Sequence, residues 1–190
     1  MKEELIILRA SIDDVNLISD MKTRAYRDEK ERFKPSEDKI PKWFYDEWYI
    51  DITENLRLIN EYYVYLLTVN NMKIGTFWLH DIDEETIELE DFCILPEFQG
   101  RGYGYQALMQ MEELYQSKSR WILGTPFYSL KNQYLYEKAG YCKVGTASNE
   151  TVYLYEKSNS TCVKNSIYLT RRYFHDIVTK NKKEYFYEYE

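Results

Sequence analysis

The feature of this 190-residue sequence that most restricts its fold is a run of nine residues, 96–104 (PEFQGRGYG), set between a strand-like and a helix-like segment. Residues 87–95 before it are dense in apolar, β-favouring side chains. Residues 103–118 after it place Ala107, Leu108, Met111, Leu114 and Tyr115 on one helical stripe, with Gln106, Gln110, Glu113 and Gln116 toward water. The first turn of a helix carries N–H groups without intrahelical partners and the positive end of the helix dipole. Glycines there let an anion approach closely, so Gly100, Gly102 and Gly104, with Arg101 beside them, read as a pyrophosphate site. Glycines in a turn equally answer a backbone need, and the loop alone does not decide between the two readings.

Two familiar phosphate loops are excluded. A P-loop requires Gly-Lys-Ser/Thr, whereas Tyr105 and Gln106 follow here, and the dinucleotide fingerprint requires a different glycine spacing and an early parallel unit. Upstream, 5–8 reads as a strand, Ser11 and Asp14 as a capping box, and 12–25 as a helix. Pro41 opens an amphipathic stretch with Trp43, Phe44, Trp48, Ile52, Leu56 and Ile59 at helical spacing. A hairpin follows, 63–69 and 74–79, turning at Asn70-Asn71, residues that tolerate positive φ. Downstream come a strand at 120–125 closed by Pro126, a helix at 130–139 with Ser129 as cap and Gly140 as stop, and a hairpin of 141–147 with 151–157.

The order β, α, α, β, β, β, α, β, α, β, β predicts an α/β (α+β) domain over 1–157. Its central sheet is mixed and mostly antiparallel, of about seven strands, with one strand-helix-strand unit and flanking helices. The polar break at 158–161 starts a C-terminal extension, 158–190, that reads as strand through Val163, Ile167 and Leu169 or as helix through Ile167, Phe174, Ile177 and Val178. Covering a sheet edge, lining a substrate pocket and joining a homodimer are all open to it.

Gln99-Gly100-Arg101-Gly102-Tyr103-Gly104 is similar to the Gln/Arg-x-x-Gly-x-Gly/Ala signature of the GNAT superfamily of N-acetyltransferases. Phe92-Cys93-Ile94-Leu95-Pro96 resembles the apolar strand and proline that lead into it. Tyr136-Glu137-Lys138-Ala139-Gly140-Tyr141 resembles a Tyr-Glu-Lys-x-Gly-Phe/Tyr segment near the end of that fold. The likeness spans residues 5–157 as architecture, with specific motifs only between 88 and 141. It implies that an amine attacks the thioester of acetyl-CoA directly in a ternary complex. It also implies that the backbone of Phe92, Cys93 and Ile94 pairs with the pantetheine arm, that amides of residues 99–104 bind the pyrophosphate, and that Tyr136 protonates the leaving thiolate. Relatives carry an Asn seven residues before that tyrosine; Ser129 stands there in this chain, and Asn132, one helical turn before Tyr136, is the nearest amide. Packing beside Tyr134 and Tyr141 is the alternative role for Tyr136, and a solvated helix position the alternative for Asn132.

An amine with a pKa near ~10 is protonated at neutral pH and must lose a proton before attack. Strand alternation over 87–95 puts Glu88, Glu90, Phe92 and Ile94 on one face and Leu89, Asp91 and Cys93 on the other. A carboxylate in mid-strand is costly unless paired or used. Glu90 is the first choice of base, with Glu88 one step further out, and a salt bridge to a helix is the competing role.

The balance of 25 basic and 32 acidic residues, net −7, opposes nucleic acid or an anionic membrane as main partner. Seven acidic residues between Asp81 and Asp91 suit a cationic small-molecule amine such as a polyamine or amino sugar, although such runs are usually solvated. The acidic opening of the chain and the lack of a long apolar run predict a cytoplasmic protein. Cys93, Cys142 and Cys162 form neither a disulfide framework nor a CxxC clamp, so reduced thiols are expected, with Cys93 a small buried hydrophobe. No set of His80, His175, cysteines and carboxylates has metal-ligand spacing, so no metal is expected. A non-catalytic acyl-CoA binding or regulatory module, and an interaction protein on the same fold, remain as alternatives to an enzyme.

Overall fold

A computed structural model describes residues 3–36, 40, 50–147 and 150–158 of the chain. The expected helical positions Pro41, Trp43, Phe44 and Trp48, and the extension beyond Ser158, lie outside the described residues.

The chain begins with β1 (Leu5–Arg9) and a short 3₁₀ turn in which the Asp14 carboxylate accepts from Ser11 N at 2.9 Å and Ser11 Oγ at 3.1 Å. Helix α1 (Val15–Phe33) runs eight residues past the expected end and buries Val15, Ile18, Met21 and Ala25. Helix α2 (Ile52–Glu61) starts at Asp51, whose side chain accepts from Thr53 N at 2.8 Å. Strands β2 (Tyr63–Val69) and β3 (Met72–Asp81) are joined by Asn70 and Asn71 at φ 49° and 63°, the left-handed pair that a tight hairpin requires. Then come β4 (Thr86–Ile94), α3 (Tyr103–Leu114), β5 (Arg120–Pro126), α4 (Leu130–Lys138), β6 (Cys142–Ala147) and β7 (Val152–Ser158). Gly140, at φ 93°, terminates the α4 segment as expected. Ala107, Leu108 and Met111 form the buried stripe of α3, but Leu114 is 56% exposed because the helix ends there, a departure from the expected stripe.

The seven strands lie in the order β1-β2-β3-β4-β5-β7-β6, and every neighbouring pair is antiparallel except β4 with β5. This is the expected mixed α/β sheet. One face packs Phe77, Leu79, Ile87, Leu89 and Leu123 against Ala107, Leu108 and Met111 of α3. The other packs Leu66 and Trp78 against Ile18 and Met21 of α1 and Leu58 and Ile59 of α2. Each large side chain buried in this way contributes roughly 1.5–3 kcal/mol.

Two irregularities interrupt the sheet where the motifs meet. Pairing of β4 with β5 runs from Thr86↔Arg120 to Leu89↔Leu123 and stops, although both strands continue, so residues 90–94 and 124–126 border an opening. The register of β4 against β3 also shifts between Thr76 and Trp78, and Asp91 takes φ 49°. This bulge adds a residue to β4 and reverses its alternation. Phe92 and Ile94 consequently join Ile87 and Leu89 on the α3 face. Asp91 turns toward α1 instead, where Lys22 Nζ reaches its Oδ2 at 2.8 Å and the Tyr26 hydroxyl its Oδ1 at 3.2 Å. The expectation that Asp91 lies opposite Glu90, and that Phe92 and Ile94 share the face of Glu90, is thereby corrected; strict period-two reasoning cannot anticipate an inserted residue.

The Lys22 ammonium is almost fully buried and also meets Asn55 Oδ1 of α2 at 2.8 Å. Removing one member of a buried ion pair leaves the other uncompensated. Lys22→Met is expected to lower unfolding free energy by about 3–5 kcal/mol, read from a urea transition; a loss below about 1 kcal/mol, the scale of an exposed pair, would show that this contact does not fasten α1 to β4.

Candidate active site

The loop after β4 has the form of an anion cradle. Gly100 and Gly102 hold φ 76° and 85°, in the left-handed region that a side chain disfavours, and an added Cβ at Gly100 would meet nothing within 4 Å. These two glycines therefore shape the loop rather than relieve crowding. Gly104 differs: a Cβ there would come within 3.0 Å of Leu135 Cδ2, so it lets α3 approach α4 closely.

Gln99 turns inward, its Nε2 donating to Ile94 O at 2.9 Å and its amide bonding Pro96 O at 3.2 Å, so it holds the loop against the end of β4. Arg101 folds over Phe98 and donates to Glu97 O at 2.8 Å, leaving it exposed beside the loop. The Tyr103 ring is buried in the core, and its hydroxyl donates to Glu3. The amides of the first α3 turn, after Gly102, have no intrahelical partners.

On the opening's inner wall, Cys93 is a free, buried thiol, as expected, and burial pushes its pKa up, so it is not poised as a nucleophile. Cys142 is disulfide-bonded, which corrects the expectation of reduced thiols at that position. Tyr136 is buried at the centre of α4's inner face, its ring 6.0 Å from Tyr141 and 5.9 Å from Tyr155. Its phenol is raised above the ordinary value by burial first and then by the nearby charges of Glu29 and Glu90, so it stays protonated at neutral pH. Both roles weighed for Tyr136, packing and proton donation, are compatible with that placement.

Ser129 is fully buried, and its hydroxyl donates to Glu29 of α1. Ser129 holds the N-cap position of α4 as expected, its carbonyl accepting from Gln133 N at 3.0 Å, but its hydroxyl makes no capping bond and donates instead to a carboxylate whose pKa burial raises. Asn132 is half-buried in the first turn of α4.

The acidic segment divides in two. Asp81, Asp83, Glu84 and Glu85 are exposed, with Asp83 accepting from the amides of Glu85 and Thr86 and Lys118 closing on Asp81 at 3.0 Å. That part is a solvated turn. Glu88, Glu90 and Asp91 instead lie on the α1-facing side of the sheet. Asp91 is satisfied by Lys22, Tyr26 and Trp78 Nε1, the last at 2.8 Å. Glu88 is 1% exposed; its Oε2 lies 2.9 Å from His80 Nε2, and its Oε1 has no partner. Burial pushes the Glu88 carboxyl up to about 8. The Glu90 carboxyl is held well above the carboxylate range by burial, then by the charges of Glu88 and Asp91.

His80, Glu88 and Glu90 each place a ligand atom within 4.8 Å of the others, a grouping that residue spacing did not reveal. Sequence spacing missed it because His80 meets Glu88 across the β3–β4 ladder. Lys22, Tyr26 and Glu29 were missed too. A lysine on the apolar stripe of Ile18, Met21 and Ala25 was the available signal for the first.

An open mixed sheet split between its parallel strands, with a glycine loop opening a helix at the split, defines a nucleotide-thioester acyltransferase architecture. The acetyltransferase (GNAT) family matches residues 23–141, and the chain belongs to it; it is an acetyltransferase of a family that uses acetyl-CoA. No curated protein sequence matches the chain. Among solved structures, a GNAT-family acetyltransferase of Streptococcus agalactiae is similar at TM-score 0.67 and 17% identity, over 83% of this chain and 96% of that one. The PaiA N-acetyltransferase of Thermoplasma acidophilum in complex with coenzyme A is similar at TM-score 0.64 and 19% identity, over 82% and 99%. The spermidine/spermine N-acetyltransferase SpeG of Vibrio cholerae follows at 0.57 and 15%, over 88% and 99%. Identities this low establish the shared fold. No described helix is long and apolar enough to cross a membrane.

Because the folded state holds the Glu88 proton more tightly than the unfolded chain, Glu88 adds no penalty below its ordinary value and destabilises progressively as pH rises from there to about 8. Glu88→Gln is expected to be near-neutral at pH 5 and stabilising by roughly 1–3 kcal/mol at pH 8.5, read from thermal melts in chelator. Equal effects at both pH values would show that the group does not titrate in that window.

Proposed function

We propose that the chain transfers the acetyl group of acetyl-CoA to a primary amine by direct attack in a ternary complex, and that the acceptor is a cationic small molecule of the polyamine or amino-sugar kind. The observation that carries this reading is the pair of buried Glu88 and half-buried Glu90 on β4, beside the end of its pairing with β5, with no lysine or arginine bonded to either among the described residues. Asp91 already holds Lys22. A substrate ammonium supplies the missing positive charge. That one of the similar structures is a spermidine/spermine N-acetyltransferase supports the acceptor class.

The residues fit the co-substrate. Amides after Gly102 and the exposed Arg101 are suited to the pyrophosphate, and the backbone of Phe92, Cys93 and Ile94 lies along the free edge of β4 beyond Leu89, where pairing with β5 has ended. Ser129 gives its hydroxyl to Glu29, which leaves the half-buried Asn132 as the amide we assign to the cofactor. Acetyl-CoA supplies an acetyl group already activated as a thioester. Glu90 accepts a proton from the bound ammonium, its raised pKa lying nearer that of the amine than an ordinary carboxylate's would. The freed amine forms the C–N bond as the C–S bond breaks, the protonated Tyr136 hydroxyl delivers its proton to the departing thiolate, and the acylated nitrogen sheds its second proton to the phenolate so formed. The extension 158–190 lies past this machinery in sequence, and we assign residues 1–157 as the catalytic domain.

Tyr136→Phe is expected to lower kcat by about 10²-fold or more while acetyl-CoA affinity, by calorimetry, stays within about twofold. Glu90→Gln is expected to lower kcat/KM by a similar factor at pH 7 and to remove the rise of kcat/KM with pH that deprotonation of Glu90 produces. Tight acetyl-CoA binding with no turnover on any amine would favour the non-catalytic binding module. Preference for neutral or acidic amines would remove the cationic acceptor.

A further inference from the structure

His80 and Glu88 form a cluster with Glu90 in which the acetyl-transfer step proposed above uses only the Glu90 carboxylate as base. His80 and Glu88 are direct cross-strand partners, and Glu90 stands two residues further along the same face, opposite Trp78. One ligand atom from each lies within 4.8 Å of the other two, and the closest pair is 2.9 Å apart. Ligand atoms around a four-coordinate divalent ion with bonds of about 2.0–2.2 Å stand roughly 3.3–3.5 Å apart. Coordination therefore requires the His80–Glu88 pair to open by a few tenths of an ångström and the half-buried Glu90 to draw in.

The independent sign that a ligand belongs here is Glu88. Its side chain is 1% exposed, its Oε2 is directed at His80, and its Oε1 has no hydrogen-bond partner. A carboxylate so buried is costly unless a cation meets it. Lys22, whose charge acts on Glu90, lies against Asp91 and Asn55, each at 2.8 Å. His80 has a side chain 16% exposed and gives the cluster a route to solvent.

One imidazole nitrogen and two carboxylates suit a borderline first-row ion. Magnesium and calcium favour all-oxygen shells with more ligands or more retained water. We propose that His80, Glu88 and Glu90 form a binding site for a divalent transition metal of the zinc class, with water completing its coordination. A metal there occupies the oxygen that Glu90 would use as base, so it inhibits acetyl transfer; this consequence, unlike the binding itself, rests on the function proposed above.

The test is titration of tag-free, chelator-treated full-length protein with Zn²⁺ by calorimetry, and with Co²⁺ by visible absorption. One ion per chain is expected, with affinity falling at least about 10-fold in His80→Asn and in Glu88→Gln, and with four- or five-coordinate cobalt bands lost in both. Circular dichroism and acetyl-CoA binding of each variant confirm that the fold persists. His80→Asn keeps both carboxylates, so loss of metal binding in that variant separates a coordination site from nonspecific attraction to acidic charge. Metal affinity unchanged in both folded variants, or no binding to the wild-type chain, overturns the site. Zinc bound as expected in a protein that acetylates no amine leaves the site standing and removes the proposed function. Turnover that Zn²⁺ leaves untouched while the ion is bound removes the inhibitory role.

Discussion

A buried ammonium holds this structure together at the point where its function is assembled. Lys22 Nζ sits between Asp91 of β4 and Asn55 of α2, while Tyr26 and Trp78 complete the shell of the same Asp91 carboxylate. Through one charge, α1, α2, β3 and β4 are tied together. The pair also accommodates the backbone of Asp91, whose left-handed φ of 49° is unfavourable for a residue with a side chain and persists only where surrounding contacts over-determine it.

From that bulge the rest of the site follows. The extra residue sends Phe92 and Ile94 into the α3-facing core and leaves Asp91 beside Glu90, so three carboxylates gather on the face toward α1. Only one of them receives a lysine. Burial raises the pKa of the other two, and the charges of Glu88 and Asp91 raise that of Glu90 further, a condition that favours protons and cations arriving from outside. The β4–β5 pairing then ends after Leu89, between these two carboxylates in the chain and ahead of the glycine loop that leads into α3. The glycine loop, the acidic residues of β4 and Tyr136, to which we assign cofactor binding, base and proton donor, thus come from separate stretches of chain.

Much of the architecture was legible in the sequence because its signals are local. Asn70-Asn71 marked the hairpin, Gly140 the end of α4, Ser11 with Asp14 the entry to α1, and the stripe of Ala107, Leu108 and Met111 the buried face of α3. Each depends on backbone preference or periodicity within a few residues. The loop glycines were legible for the same reason, although Gly104 proved to serve helix packing against Leu135. Ser129 went the other way: a good capping residue by type, it gives its hydroxyl to Glu29, a hundred positions away in sequence.

What the sequence determined by itself was the order of elements, the family signature and the residue types that chemistry needs, since these are written in short-range pattern. Only the tertiary structure decided which carboxylate would be neutralised, which would stay uncompensated, and that His80 would stand opposite Glu88. Those outcomes depend on strand register, and an inserted residue reverses a face without altering composition or propensity. Charge compensation is set by distances between segments remote in sequence, and it is there that the packed fold carries information the linear pattern does not.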